Sequence, residues 1–351
     1  MKFTAQTLGL LAGLQSALVS GKPCGPHRPH WKTLAPIPIN PRQEHTTLAL
    51  NTTHLAILGG IVPTPTPSLY ATTPLLQLYN TLTNTWHPTP LPPLPVPLNH
   101  PNAAAVAGRI YLLGGLDDEG ADGIWRGTGR SWVYDFDSQG WSELPELPGV
   151  ARGSAAVGVD EATGRVYLAG GMTQLPLVEG AGIQESVDVV SVFDTRAGEW
   201  VAEGAVAPLP GRRDHAGVVV VDGVMYVLGG RDQGQLNVRG EVFALDFGRV
   251  EEGWVTKEGR MPTARGGVCA GAVGGKVYVF GGEGNPVEGS EGVFDQVEAY
   301  DTKTDTWEKL GKMEVPRHGT YAAALGGGVY IPGGGIKLGG APVDTFNVYY
   351  P

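Results

Sequence analysis

Arginine and histidine residues recur at the start of apolar segments along this chain of 351 residues. Three segments begin with an arginine that is followed three residues later by a histidine or a threonine, and these pairs are Arg42 with His45, Arg212 with His215, and Arg317 with Thr320. The remaining polar residues at segment starts are Asn99, His100 and Asn102 in the second segment, Arg152 in the third, Arg213 and Asp214 in the fourth, Arg265 in the fifth, and His318 in the sixth.

These residue types suit the recognition of oxygen-rich ligands. Guanidinium groups donate paired hydrogen bonds to carboxylates and phosphates, and histidine accepts or donates protons near neutral pH. If the segments converge on one axis, the cluster suits a carboxylate, a phosphate, an enolate or a polyol. The alternative is that each arginine bonds to the backbone and carboxylates of its own surroundings. The sequence leaves both interpretations open.

A repeat must position these residues. Each of six copies contains an apolar strand that ends in Gly-Gly, then a variable gap and a residue that is aromatic in five copies, and the first five copies continue to a tryptophan. The glycine pairs are Gly59-Gly60, Gly114-Gly115, Gly170-Gly171, Gly229-Gly230, Gly281-Gly282 and Gly333-Gly334. The second glycines are separated by 55, 56, 59, 52 and 52 residues. Five copies also place a tyrosine three residues before the glycine pair.

This repeat resembles the kelch family across residues 31–351. The resemblance implies an all-β fold, a six-bladed β-propeller. The last copy ends without a tryptophan, whereas Trp31 lies 29 residues before Gly60, within the 27 to 30 residues seen for the other copies. The N-terminal strand is therefore predicted to complete blade six and close the ring, which removes sheet edges. The repeated glycine, tyrosine and tryptophan residues are interpreted as structural.

The loops that follow the glycine pairs are predicted to surround the channel mouth. They account for most of the length variation, with 15 to 22 residues between the second glycine and the aromatic residue. Because function concentrates on loops held by a rigid scaffold, the ligand site is expected on this face. Trp125 lies in one such loop, where it is either a stacking surface for a ligand or a residue that fixes the loop.

No metal or cofactor is predicted. A distant resemblance to the central domain of galactose oxidase implies a copper site only where a cysteine is cross-linked to a tyrosine, and neither cysteine lies in a comparable loop. Plant specifier proteins, also kelch propellers, imply an iron site of Glu, Asp and His at four-residue spacings. Glu291 and Asp295 match the first two positions, but Ala299 occupies the third.

The N-terminus predicts export. Residues 1–20 combine Lys2 with a short apolar stretch and small residues suited to cleavage, as in a signal peptide, and residues 21–30 form a leader before the propeller. Asn51 begins a glycosylation sequon on the face opposite the variable loops. Cys24 and Cys269 either form a disulfide or remain two thiols.

The formal net charge of −10 disfavours nucleic acids and anionic membrane surfaces as partners. The sequence therefore predicts a secreted or secretory-pathway monomer that binds a small molecule or glycan at the channel mouth, or else another protein. The alternative is an enzyme of isomerase, cyclase or lyase type that uses the same Arg/His-lined pocket without a cofactor. Kelch-type epimerases and metabolite-diverting proteins make this class reasonable by resemblance.

The export prediction can be tested in a eukaryotic secretory host. Secreted protein should begin near residue 21 and carry a glycan on Asn51, because the signal is removed and the sequon is accessible in the lumen. Intact-mass and peptide mass spectrometry would detect both changes, with Asn51→Gln as the unglycosylated control. Cytosolic protein that retains Met1 and carries no glycan would contradict the prediction.

Overall fold

A computed structural model describes residues 29–66, 69–120, 122–177 and 183–351 of the chain. The predicted signal peptide, the leader up to residue 28 and Cys24 lie outside the described residues. Within the described part, β-strands form six antiparallel sheets arranged as the blades of a propeller, which confirms the predicted fold class. No helix of these residues is both long enough and apolar enough to cross a bilayer.

Each blade is a meander in which strand a lies nearest the axis and strand d lies outermost; strand labels follow chain order. Blade one contains β2 (Thr46–Ala49), β3 (His54–Leu58), β6 (Leu76–Asn80) and β7 (Thr85–Trp86). Blade two contains β8 (Ala103–Val106), β9 (Arg109–Asp117), β10 (Ile124–Asp135) and β11 (Gly140–Leu144). Blade three contains β12 (Ala156–Asp160), β13 (Arg165–Ala169), β15 (Val190–Asp194) and β16 (Glu199–Trp200).

The second half of the chain repeats the same order. Blade four contains β17 (Gly217–Val221), β18 (Val224–Leu228), β19 (Val242–Asp246) and β20 (Val255–Thr256), with a 3-10 helix at Phe247–Glu252. Blade five contains β21 (Cys269–Val273), β22 (Lys276–Phe280), β23 (Gln296–Asp301) and β24 (Thr306–Lys312). Blade six contains β25 (Ala323–Leu325), β26 (Gly328–Pro332), β29 (Phe346–Tyr350) and β1 (His30–Thr33).

Short strands in the loops after strand b build a rim above the channel mouth. In blade one, β4 (Ile61–Pro63) pairs with β5 (Tyr70–Thr72), and in blade six β27 (Gly335–Lys337) pairs with β28 (Gly340–Pro342). The loop of blade three contributes β14 (Gln174–Pro176), which pairs with β10 of blade two. This last pairing joins the loops of neighbouring blades, so the rim is itself a hydrogen-bonded structure.

Tryptophan side chains join neighbouring blades, as the repeat predicts. The indole N–H of Trp86 donates to the carbonyl of Ala35, and that of Trp307 donates to Gly259, both at 2.9 Å. Trp141, Trp200 and Trp254 make equivalent bonds to the preceding blade. These tryptophans are partly buried, and because each N–H has an acceptor, the ring contributes apolar burial without an unsatisfied donor. These residues therefore serve the packing of the ring.

The glycine pairs are required where blades approach each other. At Gly281, with φ of +57°, an added Cβ would overlap the carbonyl oxygen of Arg317 in the next blade. At Gly333, with φ of +62°, it would overlap the carbonyl oxygen of Arg42. Only glycine accepts both the positive φ and this close backbone contact. The Gly-Gly pairs are thus required by the close spacing of neighbouring blades.

The N-terminal strand closes the ring. β1 pairs with β29, and Trp31 lies opposite Tyr349 in the register. The Trp31 ring also contacts Phe280 of blade five, with ring centroids 5.4 Å apart. The prediction that Trp31 occupies the tryptophan position of blade six is confirmed.

Removal of β1 should open the propeller. A chain that begins at residue 34 leaves the outer edge of β29 unpaired, and exposed edges favour association between molecules. We expect this chain to lose cooperative thermal unfolding or to aggregate, as measured by circular dichroism melting and size-exclusion chromatography. A chain that begins at residue 29 is the matched control. Equal melting temperatures and equal elution of the two chains would contradict the closure mechanism.

Candidate functional site

A ring of six equivalent residues surrounds the channel at the mouth, one from the start of each blade. All six have positive φ, between 49° and 62°. In chain order they are Glu44, His100, Ser154, His215, Gly267 and Gly319. We call this set the left-handed ring, because each residue has the left-handed backbone conformation.

Hydrogen bonds between neighbouring blades hold the left-handed ring. The backbone N–H of His100 donates to the carbonyl of Glu44 at 2.8 Å, and that of Glu44 donates to the carbonyl of Gly319 at 2.6 Å. Ser154, Gly267 and Gly319 continue the pattern at 2.8 to 3.0 Å. The remaining N–H, from His215, donates instead to the hydroxyl of Ser154 at 3.1 Å. Together these six hydrogen bonds form a belt that passes around the whole axis.

The residue types in this ring point to function. A non-glycine residue with positive φ is uncommon, and strained backbone held by its surroundings clusters at functional sites. Blades five and six place glycine at this position, which accepts the conformation without strain. Blades one, two and four instead place Glu44, His100 and His215 there, side chains able to bind ligands or move protons.

These three side chains meet beside the axis. The Nε2 atoms of His100 and His215 are 2.9 Å apart. The Oε2 atom of Glu44 lies 3.1 Å from Nε2 of His100 and 3.5 Å from Nε2 of His215. All three residues are buried. We call them the Glu–His–His cluster.

The other nitrogen of each imidazole is held by the residue that precedes it in the chain. Nδ1 of His100 lies 2.6 Å from Oδ1 of Asn99, and the Asn99 amide group donates to Thr72 at 2.9 Å. Nδ1 of His215 lies 2.7 Å from Oδ1 of Asp214. A proton on each Nδ1 would satisfy these oxygens, which only accept hydrogen bonds. The Nε2 atoms are then directed toward the centre of the cluster.

A second charged group lies beside His215. Arg231 donates to Asp214 at 3.0 Å and to Glu283, and its Nη2 atom lies 2.7 Å from Nδ1 of His215 and 3.0 Å from Nε2. Glu283 also pairs with Nδ1 of His318 at 3.3 Å. Three buried carboxylates, those of Glu44, Asp214 and Glu283, therefore surround one buried guanidinium.

Burial and charge act in opposite directions on these groups. Burial alone raises the pKa of Glu44, but the charge and hydrogen bonds of His100 and His215 outweigh it and hold that pKa well below its ordinary value. Burial lowers the pKa of His100, an effect that Glu44 only partly offsets. For His215, burial and Arg231 lower the pKa, whereas Asp214 and Glu44 raise it, and the net direction is upward. Glu44 is thus a carboxylate at neutral pH.

The Glu–His–His cluster forms the floor of a cavity of about 780 Å³. Apolar side chains on its wall come mainly from the loops of blades one to three, and they include Ile61, Tyr70, Trp125 and Leu175. On the other side, Arg231 and Glu283 line the wall with Gln235 and Lys337 from blades four and six. The cavity therefore has one apolar side and one charged side.

A family model for the KLHDC2/KLHL20/DRC7 Kelch-repeats domain matches residues 153–349, more than half of the chain. The Kelch-like protein terF of Aspergillus terreus is 38% identical over 328 residues, which cover 92% of this chain and 68% of that protein. The chain belongs to the kelch-repeat family. Membership supports a role in binding or in protein interaction, the functions that this fold commonly serves.

Two further proteins are similar to this kelch propeller, one over part of its length and one in fold alone. Human Kelch-like protein 25 is 26% identical over 258 residues, and the match covers 74% of this chain but 40% of that protein. The solved structure titled "Structure of YjhT" has a TM-score of 0.69 at 17% identity and covers 90% of this chain and 96% of that chain. At that identity the likeness shows the fold alone.

The structure brings three of the sequence-predicted site residues to the cavity of this kelch propeller. His100, His215 and Trp125 line the cavity, and Asp214 supports His215. Trp125 is buried, and its ring centroid lies 5.9 Å from that of His100. The sequence predicts Trp125 in a loop, but it lies in the extended strand β10, opposite Leu175 of β14, and presents its ring to the cavity.

The predicted arginines lie elsewhere. Five of them form a buried set, each two residues before a member of the left-handed ring: Arg42, Arg152, Arg213, Arg265 and Arg317. They bond within the blades; Arg152 donates to the carbonyls of Gly170 and Leu168, and Arg265 pairs with Glu298 at 2.6 Å. Arg212 is not in this set; its half-exposed side chain pairs with Asp232 at 3.2 Å.

The other predicted residues support the site from behind. Asn99 orients His100, and His318 pairs with Glu283 and bonds to the carbonyl of Lys337 at 2.7 Å. His45 is fully buried beneath the ring, with Nε2 3.3 Å from the Thr320 hydroxyl, and burial lowers its pKa to about 3. His45 is therefore neutral and structural in this arrangement.

Sequence reasoning missed Glu44, Arg231 and Glu283. Arg231 and Glu283 each follow directly after a Gly-Gly pair, at the position where the first three copies have Ile61, Leu116 and Met172. A change from apolar to charged residues at one repeat position is a signal that could have identified them. The sequence pattern does not reveal Glu44, because the spacing of three residues from Arg42 selects His45, the next residue in the chain.

The buried arginines should matter for folding. Arg265→Ala leaves Glu298 buried without its partner, and breaking a buried pair from one side typically costs about 3–5 kcal/mol. We expect a loss of that size in the free energy of unfolding, measured by guanidinium chloride denaturation. Arg212→Ala is the matched control, where the loss of an exposed pair costs at most about 1 kcal/mol. Equal stability of the two variants would contradict this assignment.

Proposed function

We propose that this kelch propeller binds a small organic molecule in the cavity at the channel mouth. The observation that carries the proposal is the division of the cavity into an apolar side and a charged floor. A pocket of several hundred cubic ångströms, mostly apolar with a few convergent polar groups, is typical of small-molecule sites. The supported ligand has a flat or apolar body and at least one oxygen function.

The two parts of such a ligand have separate positions. Trp125, Tyr70 and Leu175 form the surface that accepts the apolar body. The oxygen function would reach the Glu–His–His cluster and Arg231 at the floor. Leu69, Leu177 and Leu338 line the cavity although they are 37% to 58% exposed, so an apolar ligand would cover surface that is otherwise in contact with water.

A catalytic role is the second candidate, and one observation favours it. Glu44 lies 3.1 Å from His100 within a buried site that opens to the cavity, a distance at which a proton can be exchanged. An enzyme of isomerase, cyclase or lyase type would use these groups as acid and base.

Export through the secretory pathway is part of the same proposal and is supported by the residues at the N-terminus and by the exposed Asn51.

Binding can be tested before the ligand is identified. Saturation-transfer NMR would compare two panels, one of small phenolic acids and hydroxypyrones and one of mono- and disaccharides. We expect signals from the first panel, because apolar rings fit against Trp125. Signals from the saccharides alone would redirect the site to glycans, and signals from neither panel would contradict the proposal.

Variants locate the binding. Burial of a leucine-sized side chain contributes about 1.5–3 kcal/mol, so Leu177→Ser should weaken the affinity of a bound compound by about tenfold. The matched control is Leu82→Ser, since Leu82 is also exposed but lies in the turn between β6 and β7, on the opposite face. If both variants bind as the unmodified protein does, the compound binds outside this cavity.

A further inference from the structure

We propose that Glu44, His100 and His215 bind a divalent first-row transition-metal ion at the floor of the cavity. Among the described residues, these three form a group whose ligand atoms all lie within 4.8 Å of one another. The inference does not rest on the identity of the organic ligand, because the ion can be measured in its absence.

The distances fit a coordination sphere. The three ligand atoms are 2.9, 3.1 and 3.5 Å apart. Metal–ligand bonds to imidazole nitrogen and carboxylate oxygen are about 2.0–2.2 Å long, so ligands on adjacent positions of a tetrahedron or octahedron lie roughly 3.0–3.5 Å apart. One ion can therefore touch all three atoms with small adjustments of the side chains.

The orientation of the two imidazoles supports the same conclusion. Nδ1 of His100 is directed at Asn99, and Nδ1 of His215 is directed at Asp214. Histidines that ligate metals usually donate their other N–H in this way, to a carboxylate or carbonyl oxygen. The Nε2 atoms of both rings therefore face each other across the cluster, 2.9 Å apart.

The surrounding charge favours a cation of charge two. Glu44, Asp214 and Glu283 are buried around Arg231, which leaves two negative charges in excess when the imidazoles are neutral. A single shared proton would balance one of them. Because Arg231 also approaches His215, its charge competes with the ion. We therefore expect a dissociation constant in the micromolar range.

The site has an open side. The Glu–His–His cluster lines the large cavity above, whereas Tyr321 lines the small cavity directly below it. Three protein ligands with one position left for water or substrate are typical of catalytic metal sites. Two imidazoles with one carboxylate suit zinc, iron, cobalt or manganese. An ion here would polarise an oxygen function of the bound molecule.

The ligands come from three different blades, which explains why sequence spacing does not reveal them. They share one position in the repeat, the left-handed residue at the start of each blade. The incomplete Glu291 and Asp295 pattern lies elsewhere, where Glu291 pairs with Lys337 and Asp295 pairs with Lys312. The proposed site is therefore independent of that pattern.

The test uses the full mature chain, stripped with EDTA and titrated with Co²⁺. We expect one visible-absorbing ion per chain, and at least about a tenfold loss of affinity in Glu44→Gln and in His100→Ala, because each removes one of three ligands. His87→Ala, an exposed histidine outside the cavity, is the matched control and should bind as the unmodified protein does. Circular dichroism spectra would establish that each variant is folded.

X-ray absorption of the cobalt-loaded protein keeps the test decisive if a variant fails to fold. We expect two imidazole ligands and additional oxygen ligands on each ion. Absence of saturable binding, or a spectrum with fewer than two imidazoles, would overturn the metal site. Ligand binding in the NMR experiment by metal-free protein would then still support the cavity, so the two proposals can fail separately.

Discussion

The hydrogen-bonded belt at the channel mouth is the constraint on which the site depends. Each blade contributes one residue with positive φ, whose N–H is directed to the preceding blade. Because buried backbone donors need partners, the belt fixes how closely the blades approach the axis. The same conformation directs the side chains of Glu44, His100 and His215 to the cavity floor. The left-handed residues therefore determine both the geometry of the ring and the geometry of the site.

Two positions that lie two residues apart in the repeat have different roles, one in folding and one in the site. In five of the six blades, an arginine two residues before the left-handed residue is buried in the blade, as Arg317 is when it donates to Asn347 at 3.0 Å. In blades one, two and four the left-handed residue itself lines the cavity. The left-handed residue therefore differs between blades, whereas the arginine is present in all blades but the second. Gly319 shows how the positions are coupled, since an added Cβ there would overlap the Glu44 carboxylate.

The fold could be predicted from the sequence because its cause is repeated. In five of the six blades the tryptophan N–H bonds to the preceding blade, and in five the N–H of the second glycine bonds to the next blade. Several weak signals therefore agree, and the distance from Trp31 to Gly60 predicts the closing strand. The site could be predicted only in part, because its residues differ from blade to blade. His100, His215, Asp214 and Trp125 were named, whereas Glu44, Arg231 and Glu283 were not. The adjacent arginines Arg212 and Arg213 allow two alignments of the repeat, and the burial of Arg213 together with the bond from the Gly171 N–H to its carbonyl selects Arg213.

The asymmetry of the cavity also follows from variation at one repeat position. The residue after the glycine pair is apolar in the first three blades and charged in the next two, where it is Arg231 and Glu283. Apolar walls exclude water, and electrostatic interactions strengthen where water is excluded. The apolar walls from blades one to three thus strengthen the electrostatic interactions of the charged groups that face them. A charged cluster shared among blades also needs every blade in place, since separating its members would leave buried carboxylates unpaired. Ring closure by β1 therefore preserves the chemistry of a site to which β1 contributes no side chain.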